Sequence, residues 1–360
     1  MECNWNINDL KKLYRKLYRL FPKVSNKEKA KIKEDLTTLK IMIEDLSNNG
    51  VKKTFCTLSF EEKVYYELEC ASNFTFMWRD IIELNKKGLH FITPEVIEVK
   101  SKVLTRDDIL TLVHDFYKTM DKDIYELFLK AFKERKNHLR FSDTKTCDRD
   151  SYMFYLPFID EAYIEVFNYK NYVTLPAMIH EYGHVIELSQ KKKNGSNYNF
   201  LVFSEIVSTF FELIANYYFS SLNEFEEYAF EEQKAVLNMT LLDANDLTAE
   251  FDIFNKIHEF NSQCGNHLKS YLANKHNINK NTLQDIFDSF ISQNLQYTFA
   301  VMIAVELFEI FKVDSDKAFY LLKEYMNLPE NDPFVYYEKI KGLGIIPNQS
   351  IESFARSLER

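Results

Sequence analysis

His180-Glu181-Tyr182-Gly183-His184 sits inside an otherwise apolar run, and it narrows the possible folds more than any other stretch of the chain. Residues four apart on an α-helix lie one turn above each other on the same face. The two imidazoles can therefore meet one cation, and Glu181 beside the first can act as general base for a water at that cation. Burying two histidines and a carboxylate in an apolar helix is costly unless they find partners. A metal is the simplest partner, and the donor types point to Zn²⁺. A tetrahedral catalytic zinc takes a third protein ligand and keeps one position open. The fold must accordingly bring a second ligand-bearing element against this helix.

The flanks agree with a helix. Thr174 is placed to cap it, and Pro176 then falls in the first turn, where a missing N–H does no harm. Val185, Ile186 and Leu188 carry the apolar pattern on towards a loop at 191–197. The next run, 200–215, is almost wholly apolar except for Ser204, Glu205, Ser208, Thr209 and Glu212. A short polar turn between helices favours antiparallel neighbours, so this run can lie back along the first. Glu205 is then the candidate third ligand. Glu212, seven residues on and on the same face, is a candidate to accept a hydrogen bond from a ligating imidazole. The alternative for either is a carboxylate paired with a lysine or capping a neighbouring helix.

HEYGH followed by FSEIVSTFFE resembles the thimet oligopeptidase and oligoendopeptidase F family of zinc metallopeptidases. That family's signature is HExGH and then a glutamate in an E-[IA]-x-S-T-x-x-E-like helix; Gly183 and Ser208-Thr209 match it. Gln296-Tyr297-Thr298-Phe299 resembles the family's tyrosine-containing helix, and Lys339–Ile345 its closing segment. The resemblance implies a mainly α, zincin-like helical metallopeptidase, with a small β-sheet beside the metal helix and an N-terminal helical region. It implies hydrolysis of oligopeptides in a deep helical channel, with His180, His184 and Glu205 as zinc ligands and Glu181 as base. Tyr297 becomes the candidate to donate a hydrogen bond to the oxyanion. Two departures stand out. The family's histidine near that helix has no counterpart here, and its tyrosine slot falls on Leu295. They keep a second reading open, a catalytically impaired homologue that binds zinc or peptides.

Composition bounds the rest. Seven glycines and seven prolines in 360 residues are too few for a turn-rich β fold and point to long helices. A net charge of −9 argues against a nucleic-acid partner, since phosphate binding needs a basic surface. Lys191-Lys192-Lys193 reads as a solvated turn, and Glu187 as half of a surface ion pair. Five widely spaced cysteines read as reduced thiols, and the N-terminus lacks a signal-peptide pattern, so a cytoplasmic location is expected. No run reads as long and apolar enough to span a bilayer, so no membrane partner is expected.

Two regions are expected: residues 1–136 as an N-terminal helical region and 137–360 as the catalytic region. In the first, Ser25 can cap a helix ending at Asn48-Asn49-Gly50. Ser59 and Glu62 can form a capping box for a helix stopping near Gly88. Thr105 and Asp108 can start another that runs through Tyr117 and Phe128 towards Lys136. Residues 139–168 alternate β-branched and aromatic residues and predict a small sheet. Its edge can serve either as an ordinary hairpin edge or as a template for an extended peptide. From 171 onward the chain reads as helices. His258, His267 and His276 lack metal-ligand spacing, and each is read as a surface or core histidine.

Overall fold

The computed structural model describes residues 6–47, 75–88, 91, 103–143, 151–168, 170–193, 203–258, 291–328 and 332–359. By its contacts the chain divides into two compact units, Met1–Thr57 with Lys102–Ile186, and Leu58–Ser101 with Glu187–Arg360.

The first unit opens with an antiparallel helix pair. Helix α1 (Ile7–Leu20) starts where the Asn6 side chain accepts the N–H groups of Asn8 and Asp9. Helix α2 (Asn26–Ser47) starts at Ser25, as read from the sequence, and Glu28 completes a reciprocal cap there. Its expected end at 48–50 lies outside the described residues, as does the Ser59–Glu62 box. Leu10 and Leu17 of α1 and Ile32, Leu39 and Met42 of α2 repeat at helical spacing and bury one shared face. That face packs on Leu156 and Tyr163 of a three-stranded sheet. The strands β1 (Leu139–Asp143), β2 (Tyr152–Leu156) and β3 (Glu161–Asn168) run in the order β1-β3-β2. Strand β1 pairs parallel with β3 through Leu139↔Ile164, and β2 pairs antiparallel with it through Tyr152↔Glu165. Asp160, with φ of 60°, closes the β2–β3 turn. The turn's backbone N–H groups at Phe158 and Ile159 donate to the Asp35 carboxylate at 3.0 and 3.3 Å.

Thr105 and Asp108 form the expected capping box, but the helix they start does not reach Lys136. Arg106–Lys118 is one helix and Lys122–Lys133 another, followed by a short turn of helix at Arg135–His138. The break has a local cause. The Asp121 side chain accepts the N–H groups of Asp123 and Ile124 and so caps a new helix.

In the second unit, Trp78–Gly88 forms a helix that packs on Glu226–His258. A Cβ at Gly88 would overlap the Leu241 side chain, so glycine leaves the space that this leucine fills between the two helices. Ile206–Ser220, Glu226–His258 and Ser315–Met326 all pack against Ile291–Val313. In chain order the helices after α2 are numbered α3 (Trp78–Gly88), α4 (Arg106–Lys118), α5 (Lys122–Lys133) and α6 (Arg135–His138). Then follow α7 (Thr174–Lys193), α8 (Ile206–Ser220), α9 (Glu226–His258) and α10 (Ile291–Val313). The last are α11 (Ser315–Met326), α12 (Pro333–Gly342) and α13 (Ile351–Ser357).

Helix α10 corrects one expectation. Its stretch Asn294–Val313, of mean hydropathy 1.3, is long and apolar enough to cross a bilayer by length and composition. Yet 72% of it is buried, against α8, α9 and α11 among others, so its apolarity is that of a core helix.

Candidate metal centre

Thr174 is the first residue of α7 rather than its cap, and Pro176 lies in the first turn as expected. One stripe of α7 carries His180, His184, Glu187 and Lys191, spaced four, seven and eleven residues from the first. The opposite side is held from behind. The Tyr117 hydroxyl donates to the Ile179 carbonyl at 2.8 Å, and the Tyr117 ring stacks on Phe128 with centroids 4.1 Å apart. Phe128 meets Tyr182 edge-on at 5.1 Å. These contacts fix the rotation of α7 about its axis, and with it the direction in which the histidines point.

The imidazoles of His180 and His184 stand 4.9 Å apart by centroid, at 80°. One donor atom from each of His180, His184 and Glu205 lies within 4.8 Å of the other two. Donors about 2.0–2.2 Å from a shared zinc stand roughly 3.3–3.6 Å apart in a tetrahedron, so small side-chain adjustments make a ligand set. Two imidazoles and a carboxylate suit Zn²⁺ in chemistry as well as number. His184 and Glu205 are buried and His180 is half-buried, while Glu181 is only 4% exposed.

Glu205 is delivered differently from the sequence expectation of a continuous helix from residue 200. Helix α8 begins at Ile206, and Glu205 occupies the preceding turn with φ −92° and ψ −5°. A tertiary bond explains the late start: the Tyr325 hydroxyl donates to the Phe203 carbonyl at 2.8 Å, and the first helical bond of α8 is Thr209 N–H to Glu205 O. Phe203 is further wedged between Phe299 and Tyr336.

Sequence reasoning missed Gln296 as a participant. Its side-chain Nε2 donates to Glu205 Oε1 and to Ser204 Oγ, both at 2.8 Å. Ser208 Oγ lies 3.3 Å from Glu205 Oε2. The available signal was an amide between Leu295 and an apolar run of the same helix, a place where a polar group needs a partner. Next to it, Tyr297 is 38% exposed, and Leu295, in the family's tyrosine slot, is fully buried.

Two further expectations change. Lys191 belongs to α7, and its Nζ lies 2.9 Å from Glu187 Oε1 with both side chains buried. The pair is therefore internal, not a surface pair on a solvated turn. Lys191 also stands 5.8 Å over the Tyr336 ring, which touches Phe203 just ahead of Ser204-Glu205. Of the later histidines, His267 and His276 lie outside the described residues.

Glu212 is half-buried on α8, and its charge acts on Glu232 of α9. Burial first, and Glu212 second, push the Glu232 carboxyl up to about 7. The folded protein thus holds that proton longer than the unfolded chain does. Stability attributable to Glu232 is lost as pH rises from about 4.5 to about 7, and stays lost above. Glu232→Gln is expected to melt higher than wild type near pH 8 and at the same temperature near pH 4, roughly the two ends of that window. Thermal melts at both values check this.

No protein-family model matches the chain, and no curated protein matches it in sequence. Solved structures do match in three dimensions. A Bacillus anthracis str. Ames protein described as an oligoendopeptidase F superposes with a TM-score of 0.54 at 13% identity, over 98% of this chain and 66% of that one. This is the oligoendopeptidase F fold. PZ peptidase A with an inhibitor shares it at TM-score 0.53 and 11% identity, over 91% of this chain and 64% of its own. A Chlamydophila abortus protein described as a peptidase does so at 0.51 and 12%, over 90% and 60%. The chain therefore spans 60–66% of the length of these oligoendopeptidase-like structures. The mainly helical architecture with a small sheet ahead of the histidine helix is as the sequence resemblance implies.

Proposed function

We propose that the chain is a zinc-dependent endopeptidase that hydrolyses short peptides. The observation that carries the reading is the gathering of His180, His184 and Glu205, with Glu181 on the same helix, on an oligoendopeptidase F fold. His180, His184 and Glu205 would hold the metal. Bound there, zinc supplies a Lewis acid for the scissile carbonyl and lowers the pKa of water towards neutrality. Glu181 takes the proton from the attacking water and passes it to the leaving amine. Its burial keeps competing solvent from the carboxylate. Tyr297 donates a hydrogen bond to the oxyanion, and Glu212 supports a ligating imidazole. The substrate class is oligopeptides, with neither nucleic acid nor membrane as a partner. The unpatterned cysteines favour a reducing, cytoplasmic setting.

The test uses the purified full chain with a mixed peptide library. Wild type is expected to carry about one Zn²⁺ and to produce fragments that disappear with a chelator and return with zinc. His180→Ala is expected to lose both the metal and the cleavage. Fragments that persist in the chelator, or in His180→Ala, would overturn the reading. The buried Leu295 in the tyrosine slot favours a second reading, zinc binding without turnover. Stoichiometric zinc with no fragments would select it.

A further inference from the structure

Gln296 reaches Glu205 from α10, 91 residues away in sequence, and spends both its amide N–H bonds within two adjacent residues. We infer that Gln296 is a positioning residue for the metal centre: its carboxamide fixes the orientation of the Glu205 carboxylate and so sets how tightly the site holds its cation. The inference rests on the reading of His180, His184 and Glu205 as a metal site.

The orientation of the amide follows from the chemistry of its acceptor. An ionised carboxylate can only accept, so the nitrogen end of Gln296 must face Glu205 Oε1. Ser204 Oγ, at the same 2.8 Å, accepts the second N–H and stops the amide from rotating away. Gln296 is itself buried, at 7% exposure, so its side chain has no water to fall back on if these bonds are lost. On the other carboxylate oxygen, Ser208 Oγ stands farther off, at 3.3 Å. The shorter, doubly anchored contact is thus the one that governs the carboxylate plane.

Glu205 needs such a brace because of where it sits. It lies in the turn ahead of α8 rather than within the helix, where neighbouring turns would restrict its side chain. A neutral amide also suits the task better than a cation. A lysine or arginine in its place would hold the carboxylate but add a like charge beside the metal. An amide orients the ligand and leaves its negative charge available.

The experiment titrates the metal-free full chain with Zn²⁺ against a chromophoric chelator. Gln296→Met keeps the side-chain length and removes the donors; Gln296→Asn keeps the amide but falls about one bond length short. Each is expected to weaken Zn²⁺ binding by roughly 10–100-fold while still unfolding in one cooperative transition without metal. With Co²⁺ in the site, the visible spectrum of Gln296→Met should change shape, because the ligand set is rearranged rather than merely less occupied. Using two variants keeps the test decisive should one fail to fold. Zinc affinity within twofold of wild type in either folded variant overturns the inference. If wild type itself binds zinc no better than His180→Ala, the metal-site reading fails instead, and the two failures are told apart by that comparison.

Discussion

Glu181→Gln is expected to bind one Zn²⁺ as wild type does and to hydrolyse peptides about 10²–10⁴-fold more slowly. The substitution keeps the shape of the side chain and removes its ability to take a proton. Glu181 follows His180 directly, about 100° further round α7, and is not one of the three gathered donors. At 4% exposure it is also shielded, which makes an exogenous base a poor substitute. The loss should appear in kcat/KM on a fluorogenic peptide, with metal content measured on the same preparation. Undiminished hydrolysis by this variant would rule out Glu181 as the proton carrier. Loss of zinc along with activity would make it a structural residue instead.

Lys191→Met is expected to cost about 3–5 kcal/mol of stability, read from urea unfolding, because it leaves a carboxylate buried without this cation. Glu187 is 0% exposed and Lys191 2%, so bulk water does not screen the loss of this charge. The companion variant decides the mechanism. Glu187→Leu combined with Lys191→Met should recover most of the loss, since an apolar pair of similar volume needs no desolvation. A double variant as unstable as the single one would show that packing of the lysine stem, not its charge, matters. Metal affinity should fall in the single variant too, because Lys191 stacks over Tyr336, and Tyr336 supports Phe203 ahead of Glu205.

The parts of this fold that were legible in the sequence are those with local causes. The helix starts at Ser25 and at Thr105 with Asp108 depend only on residues close in sequence, and both form. HEYGH specifies its own helix, and the alternation at 139–168 specifies its strands. Glu205 was identifiable as a ligand candidate from residue type, but its position ahead of α8 depends on Tyr325, which is 122 residues away. Gln296 escaped for the same reason. The helix break at Asp121 was written locally, yet the apolar pattern on both sides of it reads as one continuous helix. Lys191 was misread because a run of three lysines suggests a single solvated unit. Only the first of them is four residues from Glu187 and on the ligand stripe of α7.

The Asp35 clip on the β2–β3 turn has a consequence for how the molecule is made. Its two hydrogen bonds join residues 123 and 124 positions apart, and the apolar face of α1 and α2 is likewise covered by Leu156 and Tyr163. On the ribosome, at about 5–20 residues per second, that face stays wet for several seconds or more after the helices emerge. The nascent chain therefore passes through an interval with a greasy, unclaimed surface. Chaperone dependence and aggregation during expression should be concentrated in that interval, before the strands leave the exit tunnel.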